Sequence, residues 1–114
     1  MDKTFDELNE LRLWDFRLDS FGTSEDGDDV LSIFGATSPY VTAAAVRFHD
    51  VQFISAPTMF HHAHFRGATP DEVAASRRLA EFDCDLFAID VDDGEYTFFI
   101  AATSASITFR ENQA

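Results

Sequence analysis

The sequence predicts an α+β domain, built as a mostly antiparallel sheet of about six or seven strands with one long helix packed on it and a short N-terminal helix. Several segments alternate apolar and polar residues, which is the period of a half-buried strand. Residues 70–81 instead have helical spacing behind strong helix-start signals. Asp93-Gly94 is a strong hairpin turn signal between two of the alternating segments.

The N-terminal segment predicts a helix followed by a strand. Thr4 is a candidate N-cap with Glu7 three residues later, which is the capping-box pattern, and a helix over residues 5–13 follows from it. Residues 14–21 then alternate, with Trp14, Phe16 and Leu18 separated by charged residues. This alternation predicts a strand with one wet face.

The middle of the chain predicts a series of strands. Residues 30–34 form a short apolar run, and residues 51–55 form another that ends before Pro57. Three consecutive alanines at 43–45 favour a helix within residues 40–48, but the surrounding β-branched and aromatic residues favour a strand, which we adopt. Residues 59–67 alternate throughout and predict one continuous strand.

The long helix is predicted from its start. Thr69 is an N-cap, Pro70 occupies the first helical position and Glu72 completes a capping box, so a helix over residues 70–81 is expected. Its buried stripe is expected to comprise Ala75, Leu79 and Phe82. After it, residues 85–91, 95–102 and 106–110 predict a three-stranded meander. The sequence shows no linker or repeat, so residues 1–114 are expected to form a single domain.

The composition restricts the classes of partner. The chain has 21 acidic and 8 basic residues, a net charge of −13, and 13 phenylalanines that predict an aromatic core. So negative a chain is not expected to bind nucleic acid or an anionic membrane directly, because both need a basic surface. It would attract a basic protein, but the simpler interpretation is that the acidity serves solubility or reflects a high-salt source.

The sequence also bears on location and on cysteine chemistry. It contains one cysteine, Cys84, which excludes an intramolecular disulfide and lies between two aspartates that disfavour a reactive thiolate. We see neither a signal-peptide pattern nor an apolar run long enough to span a membrane. A cytoplasmic location is the expectation.

The candidate site is the histidine-rich segment. If residues 59–67 form one strand, His62, His64, Arg66 and Phe60 share a face, and His62 and His64 lie roughly 6–7 Å apart, which allows them to share one divalent metal. A third ligand would still be needed. The chain contains neither a C-x-x-C nor an H-E-x-x-H motif that would make zinc compelling, and a polar strand face with solvated histidines is the simpler interpretation.

Other patterns carry less chemistry. His49-Asp50 would point to opposite faces of a strand unless a turn or bulge intervened. The acid-rich stretches at residues 25–29 and 90–95 lack the ligand order of an EF-hand loop, and no serine lies in a G-x-S-x-G elbow. The hypothesis of an enzyme therefore depends on the histidines alone, and no cofactor is expected apart from the metal alternative.

Two functional hypotheses follow. The first is a non-enzymatic acidic binding module that covers or neutralises a basic protein partner. The alternative is a metal- or small-ligand-binding protein that uses the His62/His64 face. Self-association into a homo-oligomer is a third hypothesis, with Phe60 and Phe99 as its expected anchors because they lie opposite the presumed core positions.

Overall fold

A computed structural model describes residues 3–13, 15–23, 27, 29–38, 41–76, 84–92 and 94–109. Strands take up 63% of the described residues, and they form two antiparallel sheets. The elements in chain order are α1 (Lys3–Glu10), β1 (Asp15–Thr23), β2 (Asp29–Ser38), β3 (Val41–His49), β4 (Phe53–Ser55), β5 (Met59–His61), β6 (His64–Gly67), α2 (Pro70–Ser76), β7 (Asp85–Val91), β8 (Tyr96–Ala102) and β9 (Ser104–Phe109).

The first sheet has five strands in the order β5-β1-β2-β3-β9. The predicted strands at residues 14–21, 30–34 and 40–48 are confirmed as β1, β2 and β3, and they form its centre. Strand β1 contains a bulge between Leu18 and Ser20. Strand β9 pairs with β3 from Ala44↔Phe109 to His49↔Ser104. The predicted meander is therefore wrong in its last step, because β9 does not continue the sheet beside β8.

The second sheet has four strands in the order β4-β8-β7-β6. It meets the five-stranded sheet at a corner, where Gln52 N–H donates to Ala101 O and Thr103 N–H donates to His49 O. On the other side, the chain passes from β5, which pairs with β1, to β6, which pairs with β7. The two sheets thus turn into one another as in a flattened barrel, an arrangement that reduces the number of open strand edges.

The predicted α+β class, with a long helix packed on one sheet, is wrong. The layer opposite each sheet is the other sheet, because apolar residues from both meet in one core. Helix α2 covers Pro70–Ser76, and of the predicted stripe Ala75 is exposed, while Leu79 and Phe82 lie outside the described residues. Within the described ranges, no helix is long and apolar enough to cross a membrane.

Phenylalanine rings fill the space between the sheets, as the composition predicts. The Phe16 ring stacks on Phe60 from the same sheet at a centroid distance of 5.6 Å and meets Phe65 from the opposite sheet at 5.4 Å. Phe48 and Phe87 make a second contact across the core at 5.3 Å. Such aromatic pairs add about 0.5–1.5 kcal/mol each beyond the area they bury.

Candidate functional site

The predicted histidine strip is not one continuous strand. His62 has φ +51° and separates β5 from β6, so the alternation of side chains restarts there. Phe60 lies in the core with 5% of its surface exposed, and it cannot offer its ring to a partner or to a second copy. His64 and Arg66 lie on the outer face of the four-stranded sheet, where Asp90 is the cross-strand partner of His64.

Arg66 is committed to contacts within the protein. Its Nη1 and Nη2 donate to the Glu72 carboxylate at 2.6 and 2.9 Å, and its Nε and Nη2 donate to Asp90 at 2.8 and 3.2 Å. A further Nη1 bond reaches Gly67 O at 3.2 Å. The five donors of a guanidinium are thereby used. Arg66 fastens α2 to β6 and β7, which is a structural task.

The charges of this network stabilise one another. The hydrogen bonds from Arg66 lower the pKa of Glu72 to about 2 and also lower the pKa of Asp90, with partial burial opposing both shifts. Thr97 Oγ1 donates to Asp90 at 2.6 Å. The predicted capping box is confirmed, because Thr69 N–H donates to Glu72 Oε1 at 2.8 Å and Glu72 N–H donates to Thr69 Oγ1 at 3.2 Å.

The histidines do not assemble a metal centre with other ligands in the described part of the chain. There, no group of three or more His, Cys, Asp or Glu side chains is arranged to hold a metal ion. His62 lies in the break between β5 and β6, His64 is the first residue of β6, and His49 lies at the end of β3 in the other sheet. A two-histidine site would lack the third ligand that a stable zinc site requires.

One histidine makes a contact that the sequence did not predict. His49 Nε2 lies 2.9 Å from Ser106 Oγ on β9, which is the distance of a base from a serine nucleophile. Both groups are on the outer face of the five-stranded sheet in an exposed setting. Neither residue lines the groove or the clefts described below, and we assign the pair a cross-strand structural role.

The second candidate site lies beside α1, and the way this helix packs on the protein determines its shape. Phe5 and Leu8 are buried to 2% and 1% exposure. Asn9 adds a pair of bonds to the edge strand β6: its Nδ2 donates to Phe65 O at 2.8 Å, and its Oδ1 accepts from Phe65 N–H at 2.9 Å. The carboxamide thus pairs with both backbone groups of Phe65 as a neighbouring strand would, and it fixes α1 at the sheet edge.

A groove lies between α1 and the β3–β9 pair. This groove, which we call the acidic groove, is lined by Glu7, Glu10, Leu11, Ala43 and Phe109. Its volume is about 560 Å³. The two glutamates are exposed and one helical turn apart, so they share a face of α1. Leu11 is 48% exposed, while Ala43 and Phe109 pack partly into the core.

The local electrostatics make this groove attractive to a cation. Glu10 lies in the last turn of α1, and that turn contains no basic residue. A helix C-terminus already carries about half a negative charge, so a carboxylate there opposes the helix dipole. Arg12 follows in the turn after the helix, with no ion pair described for it. A cation bound in the groove would relieve this repulsion.

The sequence contains part of the signal for this site. Helix α1 buries Phe5 and Leu8 and leaves its two glutamates exposed. Leu11, which is also exposed, follows directly after the last residue of the helix. The sequence does not show that Phe109 lies next to α1. Phe109 belongs to β9, about a hundred residues later in the chain, and it reaches α1 only because β9 pairs with β3.

The comparisons with other proteins give no family assignment for this chain. No protein-family model matches it, and neither a curated protein nor a solved structure shows significant similarity to it.

Proposed function

We propose that this protein is a non-enzymatic binding module whose acidic groove takes a basic segment of a protein partner. The observation that carries the proposal is the pairing of two exposed glutamates, Glu7 and Glu10, with an apolar floor of Leu11, Ala43 and Phe109. Carboxylates alone suit any cation. Carboxylates above an apolar surface suit a side chain that is itself charged at the tip and apolar along its stem.

Arginine and lysine have that form. Each buries a chain of methylene groups along apolar surface and keeps its charged head in a polar setting. A guanidinium group can bind a carboxylate through two parallel hydrogen bonds, which favours arginine over lysine where the geometry allows. The groove volume of about 560 Å³ accommodates one or two such side chains.

The charge of the whole chain supports the same partner class. A net charge of −13 steers a basic partner toward the surface and raises its rate of association. Further exposed carboxylates surround the fold, including Asp6 on α1 and Asp71 on α2. The groove adds a place where a steered partner can make specific contacts.

Neutralising the groove is expected to weaken binding of a basic ligand by at least tenfold, because the two carboxylates are the groove's charged groups. The probe is a fluorescein-labelled octapeptide of alternating arginine and leucine, and its affinity is measured by fluorescence anisotropy. The variant is Glu7→Gln/Glu10→Gln, which keeps size and helix propensity while it removes two charges. A tenfold loss corresponds to about 1.4 kcal/mol.

The matched control is Asp50→Asn/Glu95→Gln. It removes the same two charges from exposed turns, and Asp50 lies at the opposite end of β3 from the groove residue Ala43. Its effect is expected to stay within about twofold, since distant surface charges act through a screened field. If the two double variants lost equal affinity for the peptide, the groove would not be the binding site, and the attraction would be a property of the whole acidic surface.

The alternative of a metal or small ligand at His62 and His64 gains no specific support. His62 lies in the break between β5 and β6, the neighbouring Arg66 is engaged by Glu72 and Asp90, and Phe60 is buried. These observations favour the acidic groove over the histidine segment as the binding site.

A further inference from the structure

The outer face of the five-stranded sheet differs from the rest of this acidic surface. Its described residues alternate with core residues such as Ile33 and Val46, and they include Phe34 on β2 and Met59 on β5, which is 49% exposed. The small side chains of Ala36, Thr42 and Ala45 lie beside Phe34, and Arg17 is its partner on β1. Two shallow clefts of about 210 and 350 Å³ adjoin there, because both are lined by Phe34 and Thr42.

The charges on this face cancel. Its described charged residues are two arginines, Arg17 and Arg47, and two aspartates, Asp15 and Asp19, so the face is neutral on a chain of net charge −13. Two copies of so negative a chain repel each other wherever carboxylates meet. A neutral face is where a second copy can approach without that repulsion.

The register of the strands also makes the face complementary to itself. Across it run two neighbouring rows: Arg17, Phe34, Ala45 and Thr108 form one, while Ser20, Ser32, Arg47 and Ser106 form the other. The β-bulge places Asp19 beside the second row. A two-fold axis along β2 lays β3 of one copy over β1 of the other. Arg47 then faces Asp19 of the second copy, and the two Phe34 rings meet at the axis.

The size of the face suits a dimer. The three central strands have nine or ten residues and are about 30 Å long, and with the shorter β5 and β9 beside them the face covers roughly 600 Å² in projection. Side-chain relief raises the accessible area above the projected area. The result approaches the roughly 800 Å² per partner of a standard protein interface.

From these observations we infer that the outer face of the five-stranded sheet, centred on Phe34, is an isologous interface with a second copy of this chain. Sheets pack face to face at about 10 Å, and the small residues Ala36 and Ala45 allow that approach. The interface is separate from the acidic groove, so the proposed dimer and the proposed binding site can be tested independently of each other.

Sedimentation velocity from about 1 µM to about 1 mM protein tests this inference over the range of weak and moderate complexes. The wild-type chain is expected to pass from monomer to dimer. Thr108→Glu and Ala45→Glu each place a carboxylate on the neutral face and are expected to weaken dimerisation at least tenfold. Thr108 is exposed, so its variant retains the fold even if Ala45→Glu does not. Circular dichroism monitors folding.

The control is Ala74→Glu, which makes the same change at an exposed position of α2 and is expected to leave the dimer intact. A charge swap adds a test of register: Arg47→Asp and Asp19→Arg should each weaken the dimer, and the two together should restore it. A wild-type chain that stays monomeric throughout would overturn the inference, as would dimerisation unaffected by Thr108→Glu. The Glu7→Gln/Glu10→Gln variant is expected to dimerise as the wild type does, which would show that the dimer interface does not depend on the acidic groove.

Discussion

Replacing Arg66 by methionine is expected to lower the free energy of unfolding by about 2–3 kcal/mol at neutral pH. The change removes every bond that Arg66 makes to Glu72 and Asp90 and leaves two carboxylates, each roughly a quarter exposed, without their cation. Breaking a fully buried ion pair costs about 3–5 kcal/mol, and partial exposure reduces that figure. Urea denaturation would measure the change.

The effect should depend on pH in a defined direction. Arg66 holds the pKa of Glu72 at about 2 against an ordinary 4.5, and it also lowers the pKa of Asp90. A carboxylate whose pKa is depressed on folding stabilises the protein above its unfolded pKa, and that contribution is lost as the pH falls through the folded pKa. The difference between wild type and Arg66→Met should therefore be complete above about pH 5 and shrink toward pH 2.

Arg17→Met provides the matched control. Arg17 is also a strand arginine bonded to an aspartate, but it is 60% exposed and makes one 3.2 Å bond to Asp15. An exposed ion pair contributes about 0–1 kcal/mol, so this variant should unfold nearly as the wild type does. If the two variants were equally stable, Arg66 would not be the residue that fastens α2.

Gly35→Ala is expected to destabilise the protein by about 1–3 kcal/mol, although alanine is normally the better residue within a strand. A Cβ atom at Gly35 would lie 2.7 Å from Leu13 Cδ1 and 2.8 Å from Phe16 Cε1. Both neighbours are buried, with 3% and 1% exposure, so neither can move without disturbing the core. A thermal melt that follows the aromatic signals would report the loss.

Gly22→Ala is the comparison for that substitution. Gly22 is in the neighbouring strand β1, and no atom lies within 4 Å of a Cβ built there. Alanine should be neutral or stabilise by about 0.5 kcal/mol, because it restricts the unfolded chain. Equal melting temperatures for the two variants would show that Leu13 and Phe16 yield freely.

The local features of the fold were predictable from the sequence. The alternation in residues 14–21 and the β-branched residues around the three alanines correctly placed two central strands. Thr69 and Glu72 form the predicted capping box. The hairpin after β7 was signalled by Gly94, which has φ +89°. Each of these signals acts within a few residues of the chain, and so the sequence contains it directly.

The long-range features were not predictable. The pairing of β3 with β9 joins Ala44 to Phe109, and no local pattern chooses that partner over β8. The break at His62 is hidden because the residues on both sides alternate, while its positive φ follows from the passage of the chain between two sheets. As a result, the four residues of the predicted site do not share one exposed face. Phe60 is buried in the core, and Arg66 binds Glu72 and Asp90.

The acidic groove was missed for the same reason. Its glutamates are visible in the sequence, but a pocket requires a floor, and Ala43 and Phe109 are brought to α1 only by tertiary pairing. The net charge of −13 predicts a basic partner, but it carries no information on where on the surface such a partner would bind.

The salt dependence of binding tests the central claim most directly. The affinity of the wild-type chain for the arginine–leucine octapeptide should fall at least tenfold between about 50 mM and about 500 mM NaCl, as the screening length shortens from about 14 Å to about 4 Å. Some affinity should remain at high salt because the floor of Leu11 and Phe109 is apolar. An affinity equal at the two salt concentrations would contradict the claim that Glu7 and Glu10 recognise a basic partner.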